Sequence, residues 1–486
     1  MKRAETPNPR PNPRPNPRPN PRRPARWLLL AAAVTLAGCT TFSDDRGFKP
    51  VEQAARDRLG LAAQWPRTDA ERDQVAQRVA ELLARPLAVD DAVQIALLNN
   101  RGLRAGFHEL GIAEADLVQA GRLPNPGFVF ARKTQGGGLE IERLFTLNIA
   151  HLIAMPLATE MESRRFAQTQ RLVTQQMLAL ASDTRRAYYL ALSADESMRY
   201  LRQVMTAAEA AADLARRMAQ VGNWSKLQQA REQGFYADAA LNLARAGQAQ
   251  VMARERLTRL MGLWGGQTEF ALAERLPDLP KQPDDLPDVE QLAMAQRLDV
   301  QSARLGTEEL AANLGLTRVT RFINVFEVGV IRNSFNDAGP QRGYEIAFEL
   351  PLFDWGDARV AKAEAVYLQA LERAAETAVN ARSEVRQAYL NYRSAYDIAR
   401  HYRDEIVPTK KRISEENLLR YNGMLIGVFE LLADARSQIA SVNGYIEALR
   451  DFWIARAELD MALIGQPGAS AMPMAGPMAA ESAAAH

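Results

Sequence analysis

Few residues in this 486-residue chain have the type and spacing that chemistry needs. Cysteine occurs once, at Cys39, so the chain forms neither a disulfide framework nor a thiolate metal cluster. Its four histidines, His108, His151, His401 and His486, lie far apart and leave little for general-base or metal chemistry. Cys39 itself is informative because of what precedes it. It closes Leu36-Ala37-Gly38-Cys39 at the end of a twelve-residue apolar run, Trp27–Gly38, which follows Arg22-Arg23-Pro24-Ala25-Arg26. Twelve residues rise only ~18 Å as a helix, short of a ~30 Å hydrocarbon core. The run therefore reads as a cleaved export signal, its basic region lengthened by four PNPR repeats over residues 7–22. Small residues before the cysteine admit a peptidase, and the thiol left at the new amino terminus can take a lipid.

Charge narrows the partners further. The first 38 residues hold eight Lys/Arg and one acid, Glu5, which leaves 52 basic and 57 acidic side chains, a net −5, in residues 39–486. A mildly acidic body argues against a nucleic-acid partner, which would need a concentrated positive field. Without a convergent cluster of titratable groups, the chain is not expected to be an enzyme, and no metal site or soluble cofactor is expected. Two acids stand out by period rather than by clustering. In 343–352, Tyr344, Ile346, Phe348, Leu350 and Leu352 alternate with Glu345, Ala347 and Glu349. In 145–153, Phe145, Leu147 and Ile149 alternate with Thr146, Asn148 and Ala150. One apolar and one polar face at a period of two fits a membrane barrel wall, and also a small sheet packed on helices. Partner strands are expected at Gly127–Lys133 and Arg321–Arg332, joined to these by Gly- and Asn-rich turns.

The elements that must position these strands repeat at about 200 residues. Ala187-Tyr188 corresponds to Ala388-Tyr389 and Gly222 to Gly423, each pair 201 apart, and Leu260-Met261-Gly262 corresponds to Leu463-Ile464-Gly465 at 203. Each unit reads helix, strand, strand, very long helix, tight turn, helix. The helices are expected over 87–121, 157–221 and 224–261, then over 288–317, 357–421 and 425–464. A 65-residue helix spans ~98 Å, and the two shorter helices of a unit, stacked end to end, would match it. Val428, Leu432, Ala435, Ile439, Val442, Ile446, Leu449 and Trp453 keep a 3.5-residue seam, as helices wound around neighbours do. The organisation expected is a signal with its basic arm (1–38), an N-terminal segment carrying the lipid (39–86), a first repeat (87–262), a Pro-rich linker (263–286), a second repeat (287–465) and a disordered Met/Ala-rich tail (466–486). Four strands cannot close a barrel alone, and an open edge in lipid costs several kcal/mol per unpaired group. Three copies would give twelve strands and a ring-shaped homotrimer. A coiled-coil bundle without a channel remains the alternative that the helices alone allow.

Val89–Leu103 (VDDAVQIALLNNRGL), Ala113–Pro126 (AEADLVQAGRLPNP), Leu350–Gly356 (LPLFDWG), Arg420–Gly423 (RYNG) and Leu431–Arg436 (LLADAR), in this order behind a segment similar to a bacterial lipobox, resemble the TolC family of outer-membrane efflux proteins in its lipidated branch. The resemblance covers roughly 87–465. Departures are Arg101 after the Asn pair, Leu298 inside an Arg-Pro-Asp pattern, and Met155–Met161 in place of a Phe-Asp-Trp-Gly turn. It implies a mainly α protein with membrane β, a trimer whose helices form a periplasmic barrel under a twelve-stranded outer-membrane barrel, four strands per chain. It also implies a passive conduit for drugs or metal ions, working with a periplasmic adaptor and an inner-membrane pump of the resistance-nodulation-division type. Cys39 would carry a diacylglycerol and an acyl chain, and Thr40 in place of Asp points to the outer membrane. Gly222 and Gly423 would make positive-φ turns at the helix tips, with Arg420 and Tyr421 holding a closed state. Glu345 and Glu349 would face the lumen and favour cations. The rivals are the adaptor itself, expected to show one hairpin rather than two, and a structural coiled-coil envelope lipoprotein.

Overall fold

The computed structural model describes residues 41–322 and 325–466; Cys39, the PNPR arm and the Met-rich tail lie outside the described residues. The described residues begin with two helices, α1 (Lys49–Leu59) and α2 (Asp69–Leu83), followed by α3 (Val89–Asn99) and α4 (Arg101–Ala120). Strands β1 (Gly127–Gln135) and β2 (Gly138–Asn148) lead into α5 (Ile149–Gln220), which turns into α6 (Lys226–Met261). The second half runs α7 (Val289–Gln296), α8 (Leu298–Thr320), β3 (Phe326–Phe335), β4 (Gln341–Phe348), α9 (Asp357–His401), a π turn at Tyr402–Ile406, α10 (Val407–Asn422) and α11 (Val428–Ala462). The four strands form one antiparallel sheet in the order β1-β2-β3-β4. β2 pairs with β3 from Glu140↔Phe335 to Asn148↔Glu327, which joins the two halves of the chain at their strands.

The helices expected over 87–121 and 288–317 each divide in two, at Asn100 and Arg297, and the strand expected at Arg321–Arg332 runs Phe326–Phe335 because α8 continues to Thr320. Three further boundaries differ from the sequence reading, each for a local reason. The long first helix starts at Ile149, giving 72 residues, about 108 Å at the α-helical rise. The Asn148 side chain accepts from the His151 amide at 2.8 Å and caps the helix there, so the 145–153 alternation ends as a strand after Asn148. Pro156 sits inside the helix. β4 stops at Phe348, because Pro351 offers no donor and the Leu352 amide turns back to the Leu350 carbonyl at 2.8 Å. Leu350 and Leu352 therefore stand beyond the strand. The 357–421 helix is interrupted by the π turn just before Pro408, whose missing N–H makes an extra residue in the turn inexpensive. Helices α1 and α2 were not anticipated in 39–86. The signal for α2 was nonetheless present, since Thr68 and Glu71 form a reciprocal capping box.

The short helices stack end to end, as the length match suggested, and the two junctions satisfy their backbone groups differently. The last carbonyls of a helix have no partner inside it. At the first junction the Asn99 Nδ2 donates to the Gly262 carbonyl at 2.7 Å and to Met261 at 3.2 Å, while Asn100 Nδ2 donates to Leu260 at 2.9 Å. Gly262 is obligatory on two counts. Its φ is +66°, and a Cβ there would stand 2.9 Å from the Asn99 carbonyl oxygen. At the second junction the guanidinium of Arg297 does the work. It is 1% exposed, donates to the Ala462 carbonyl at 3.2 Å and pairs with Asp299 at 2.6 Å and Glu384 at 2.7 Å. Burial pulls its pKa down, but the two carboxylates more than offset this and the net shift is upward.

Around these junctions the core is aromatic as well as aliphatic. Tyr189 stacks on Trp453 at 5.6 Å, and Tyr392 and Tyr396 pack on Phe452. The Tyr188 hydroxyl donates to the Leu87 carbonyl at 2.8 Å, and burial pushes its pKa up to about 12. The Pro-rich segment straps across this core. The Asp284 amide donates to the Tyr392 hydroxyl at 2.9 Å, the Tyr396 hydroxyl to the Lys281 carbonyl at 2.7 Å, and Trp453 Nε1 to the Pro277 carbonyl at 3.0 Å. In the 3.5-residue seam, Ile446 and Leu449 are buried, with Val442 and Trp453 packed beside them.

Arg297→Met leaves two carboxylates and a helix-terminal carbonyl without their partner. It is expected to cost about 2–4 kcal/mol in denaturant unfolding, with Arg297→Lys recovering part of the loss. A change below about 0.5 kcal/mol would show that the junction does not depend on this ion pair.

Candidate functional site

The residues singled out by sequence fall at the two ends of the molecule: the helix turns at one, the sheet at the other. At the first turn α5 ends at Gln220 and Gly222 takes φ +79°. The Asn223 and Trp224 amides then return to the Met218 carbonyl at 2.9 and 3.2 Å, and Ser225 with Gln228 forms the capping box that starts α6. No atom lies within 4 Å of a Cβ built on Gly222, so its requirement is conformational alone. The second turn departs from the expectation. Gly423 has φ −82°, open to any residue, and the left-handed position falls one residue later on Met424, at φ +56°. The shift follows from the hydrogen bonds. The Gly423 amide still closes a helical turn on Leu419 at 3.0 Å, so the chain reverses only when Met424 and Leu425 reach the Tyr421 and Arg420 carbonyls, at 2.9 and 2.8 Å. Arg420 thus contributes its carbonyl to the turn. Within the described residues its side chain and that of Tyr421 make no hydrogen bond or ion pair, and Tyr421 is 37% exposed.

Two polar contacts that cross between helices near these turns were missed. Glu232 on α6 is fully buried and forms an ion pair with Arg436 on α11, whose guanidinium also lies 4.5 Å over the Phe235 ring. Asn417 on α10 donates to the Asp434 carboxylate on α11. The first had a legible signal. Glu232 stands seven residues before Ala239 and fourteen before Ala246, both buried, so a carboxylate occupies a core position of a heptad. Arg436 closes the motif Leu431–Arg436, but its partner lies some 200 residues earlier, beyond the reach of local pattern.

At the sheet end, direct cross-strand partners define two faces. Glu345 lies in the row Gly127–Thr146–Gly329–Glu345, on the face opposite Tyr344, Ile346 and Phe348. The same face carries Glu140, Glu142 and Glu327 with one lysine, Lys133, which is bonded to Glu142 at 2.6 Å. Glu349 is one residue past the end of β4, its amide bonded to the Val325 carbonyl at 3.3 Å. Phe128, Phe145, Val330, Tyr344, Ile346 and Phe348, on the other face, are all more than half exposed. β1 and β4 each have a single strand neighbour, so each presents an unpaired edge.

No described protein family and no curated protein matches the sequence. Solved structures do match. The CmeC outer membrane channel of Campylobacter jejuni aligns over 77% of this chain and 85% of its own at 18% identity, with a TM-score of 0.63. The outer-membrane channel OprN aligns over 89% and 97% at 15% identity, with a TM-score of 0.65. The MtrE outer membrane channel of Neisseria gonorrhoeae, in its open state, aligns over 78% and 89% at 18% identity, with a TM-score of 0.59. The chain has the fold of the TolC-type channels.

In this TolC-type fold the helix turns and the sheet occupy opposite ends of the long helices. Among the described residues no helix is long and apolar enough to cross a membrane. The lipidation position, Cys39, and the methionines of the tail lie outside the described residues.

Three substitutions check the first turn and the buried pair beside it. Gly222→Ala is expected to cost about 1 kcal/mol, from strain at positive φ without a clash. Glu232→Ala and Arg436→Ala should be strongly non-additive in a double-mutant cycle, with a coupling of about 1–3 kcal/mol; independent effects would show that the buried pair does not hold α6 to α11.

Proposed function

We propose that this protein is the outer-membrane channel of an efflux system, acting as a homotrimer. The observation that carries the reading is the sheet: four strands with one polar and one apolar, exposed face, and a bare edge on each side. β1, β2, β3 and β4 are 9, 11, 10 and 8 residues long, close to the ~9–11 residues with which a tilted strand crosses a bilayer. In lipid each unpaired edge group costs several kcal/mol, so the edges must meet strands of other copies, and three copies close a twelve-stranded barrel. The match to proteins described as outer membrane channels, over 85% and 97% of their chains, supports this arrangement.

In this arrangement the apolar face meets lipid and the carboxylate face lines the lumen, where Glu345 and Glu349 bias passage toward cations. The helices extend as a tube into the periplasm, built from two structural repeats per chain. Arg420 and Tyr421, whose side chains have no hydrogen bond or ion pair within the described residues, bond across the tips of neighbouring subunits and hold them closed. A periplasmic adaptor splays the tips near Gly222 and Gly423, and an inner-membrane pump of the resistance-nodulation-division type supplies the energy. A diacylglycerol and an acyl chain on Cys39 anchor the amino terminus in the outer membrane. Drugs and metal ions are both compatible cargoes.

Detergent-extracted protein should have the native mass of a trimer and give discrete conductance steps in planar bilayers. A monomer without conductance sinks the proposal. Arg420→Ala combined with Tyr421→Phe is expected to raise single-channel conductance severalfold, and Glu345→Gln with Glu349→Gln to lower the cation-over-anion permeability ratio by about twofold. Growth inhibition of a deletion strain complemented with wild type or Cys39→Ala, on metals beside dyes, detergents and antibiotics, separates the two cargo classes and tests the anchor.

A further inference from the structure

Apart from Lys133, which is paired with Glu142 on the carboxylate face, the strands sort their charges by face. One step toward the hairpin turns from the row Phe128–Phe145–Val330–Tyr344 lies the row Phe130–Arg143–Arg332–Arg342, on the same apolar face. Arg132, in register with Ile141 and Ser334, lies one step further on that face. Every arginine of the four strands is on the apolar face, and every strand carboxylate, Glu140, Glu142, Glu327 and Glu345, is on the other. Glu142 and Arg143 are neighbours in sequence, yet the pleat points them to opposite sides.

This partition leaves an electrostatic problem on the apolar face. Residues directly opposite on adjacent strands have Cβ atoms about 5 Å apart, and like charges at that spacing repel. Arg143 donates to Ser334 Oγ at 3.0 Å, but within the described residues none of Arg132, Arg143, Arg332 and Arg342 has an ion pair. Arg332 and Arg342 are exposed and Arg143 is half-buried. On the helix side of this row the face is wholly apolar, with Leu147–Val328–Ile346 and then Phe326–Phe348. Beyond the row, Arg132, Ser334 and Thr134 interrupt it. The arginines therefore mark the upper end of the greasy band.

We propose that Arg143, Arg332 and Arg342 form a belt that binds phosphate-bearing lipid headgroups in the leaflet nearest the hairpin turns. The inference rests on the barrel reading above, in which this face meets lipid. An arginine on a lipid-facing strand is costly at the bilayer midplane and nearly neutral at its interface, which fits a row that terminates the apolar band. Its long stem lies along apolar surface while the guanidinium reaches the headgroup level. The planar fork then takes phosphate oxygens two at a time, which a lysine cannot do. An anionic headgroup also supplies the counter-charge that the chain has placed on the opposite face. In a trimer nine such guanidiniums ring the barrel.

Trimers in mild detergent would be loaded with diphosphoryl lipid A or with its dephosphorylated form, and retention read by native mass spectrometry. Wild type should hold the phosphorylated lipid preferentially. The triple variant Arg143→Gln, Arg332→Gln, Arg342→Gln should lose roughly a hundredfold in retention, about fivefold per charge removed, with the triple Arg→Lys variant between the two. Retention of the dephosphorylated lipid should not change. Arg342→Gln alone, on the edge strand, serves as the second variant where the triple does not assemble. Equal retention of the two lipids by wild type, or an unchanged ratio in the Gln variants, overturns the belt. Complete displacement of the lipid by millimolar inorganic phosphate assigns the row to free anions and overturns the lipid assignment. Conductance of the same samples separates the two levels: no pore removes the barrel reading, whereas a pore with phosphate-independent lipid retention removes the belt alone.

Discussion

The pairing of β2 with β3 is the constraint around which the rest of the chain is arranged. It brings residues 140–148 against 327–335, with the helices α5, α6, α7 and α8 and a strap of proline-rich chain between them. A contact of that sequence separation carries a loop-closure cost that local structure must offset. The chain does so by making the excursion a rigid hairpin: α5 leaves the sheet, turns at Gly222, and α6 returns along it. The return ends at Gly262, whose carbonyl is taken by Asn99, the last residue of α3, just before the helix α4 that leads back to β1. The strand ladder and the helix junction thus close the same excursion of chain, each with its own hydrogen bonds.

The helix junctions show how similar elements can be held by different chemistry. Helix-terminal carbonyls must find donors or remain exposed to water. The first junction offers two neutral amides, which satisfy three carbonyls without moving charge into the core. The second uses a buried guanidinium and therefore needs Asp299 and Glu384 beside it. The polar network around Arg297 is thus larger and more exacting, since losing any one member strands the others. Glu232 and Arg436 repeat this logic nearer the turns, where a buried pair ties the two hairpins together.

Charge placement ties the sheet to its proposed setting. The helical body keeps arginines and carboxylates interspersed, with many pairs three or four residues apart along one helix, such as Arg217 with Asp213 and Arg304 with Glu308. The strands instead put arginines on one face and carboxylates on the other, which alternation in sequence permits but does not require. Two faces of opposite sign suit a wall between two different surroundings, a polar lumen and a lipid surface, better than a sheet bathed in one solvent.

By itself the sequence determined what repeats locally. The presence of the long helices, the alternating strands, the turn at Gly222 and the opposite facing of Tyr344 and Glu345 follow from periods of 3.6 and 2.0 and from glycine's access to positive φ. Capping decided the ends, and there the periodic reading failed where a single side chain ruled: Asn148 ended a strand that hydrophobic alternation continued, and the hydrogen bonds to Arg420 and Tyr421 carbonyls moved the left-handed residue from Gly423 to Met424. Only the tertiary structure decided which distant groups meet. The pairing of β2 with β3, the burial of Arg297 between three helices and the Glu232–Arg436 pair all join residues more than eighty positions apart. The register that lines up Arg143, Arg332 and Arg342 belongs to the same class. A strand's period assigns each residue to a face, but which residues stand side by side across strands depends on how the strands slide past one another, and that is settled by packing the whole chain.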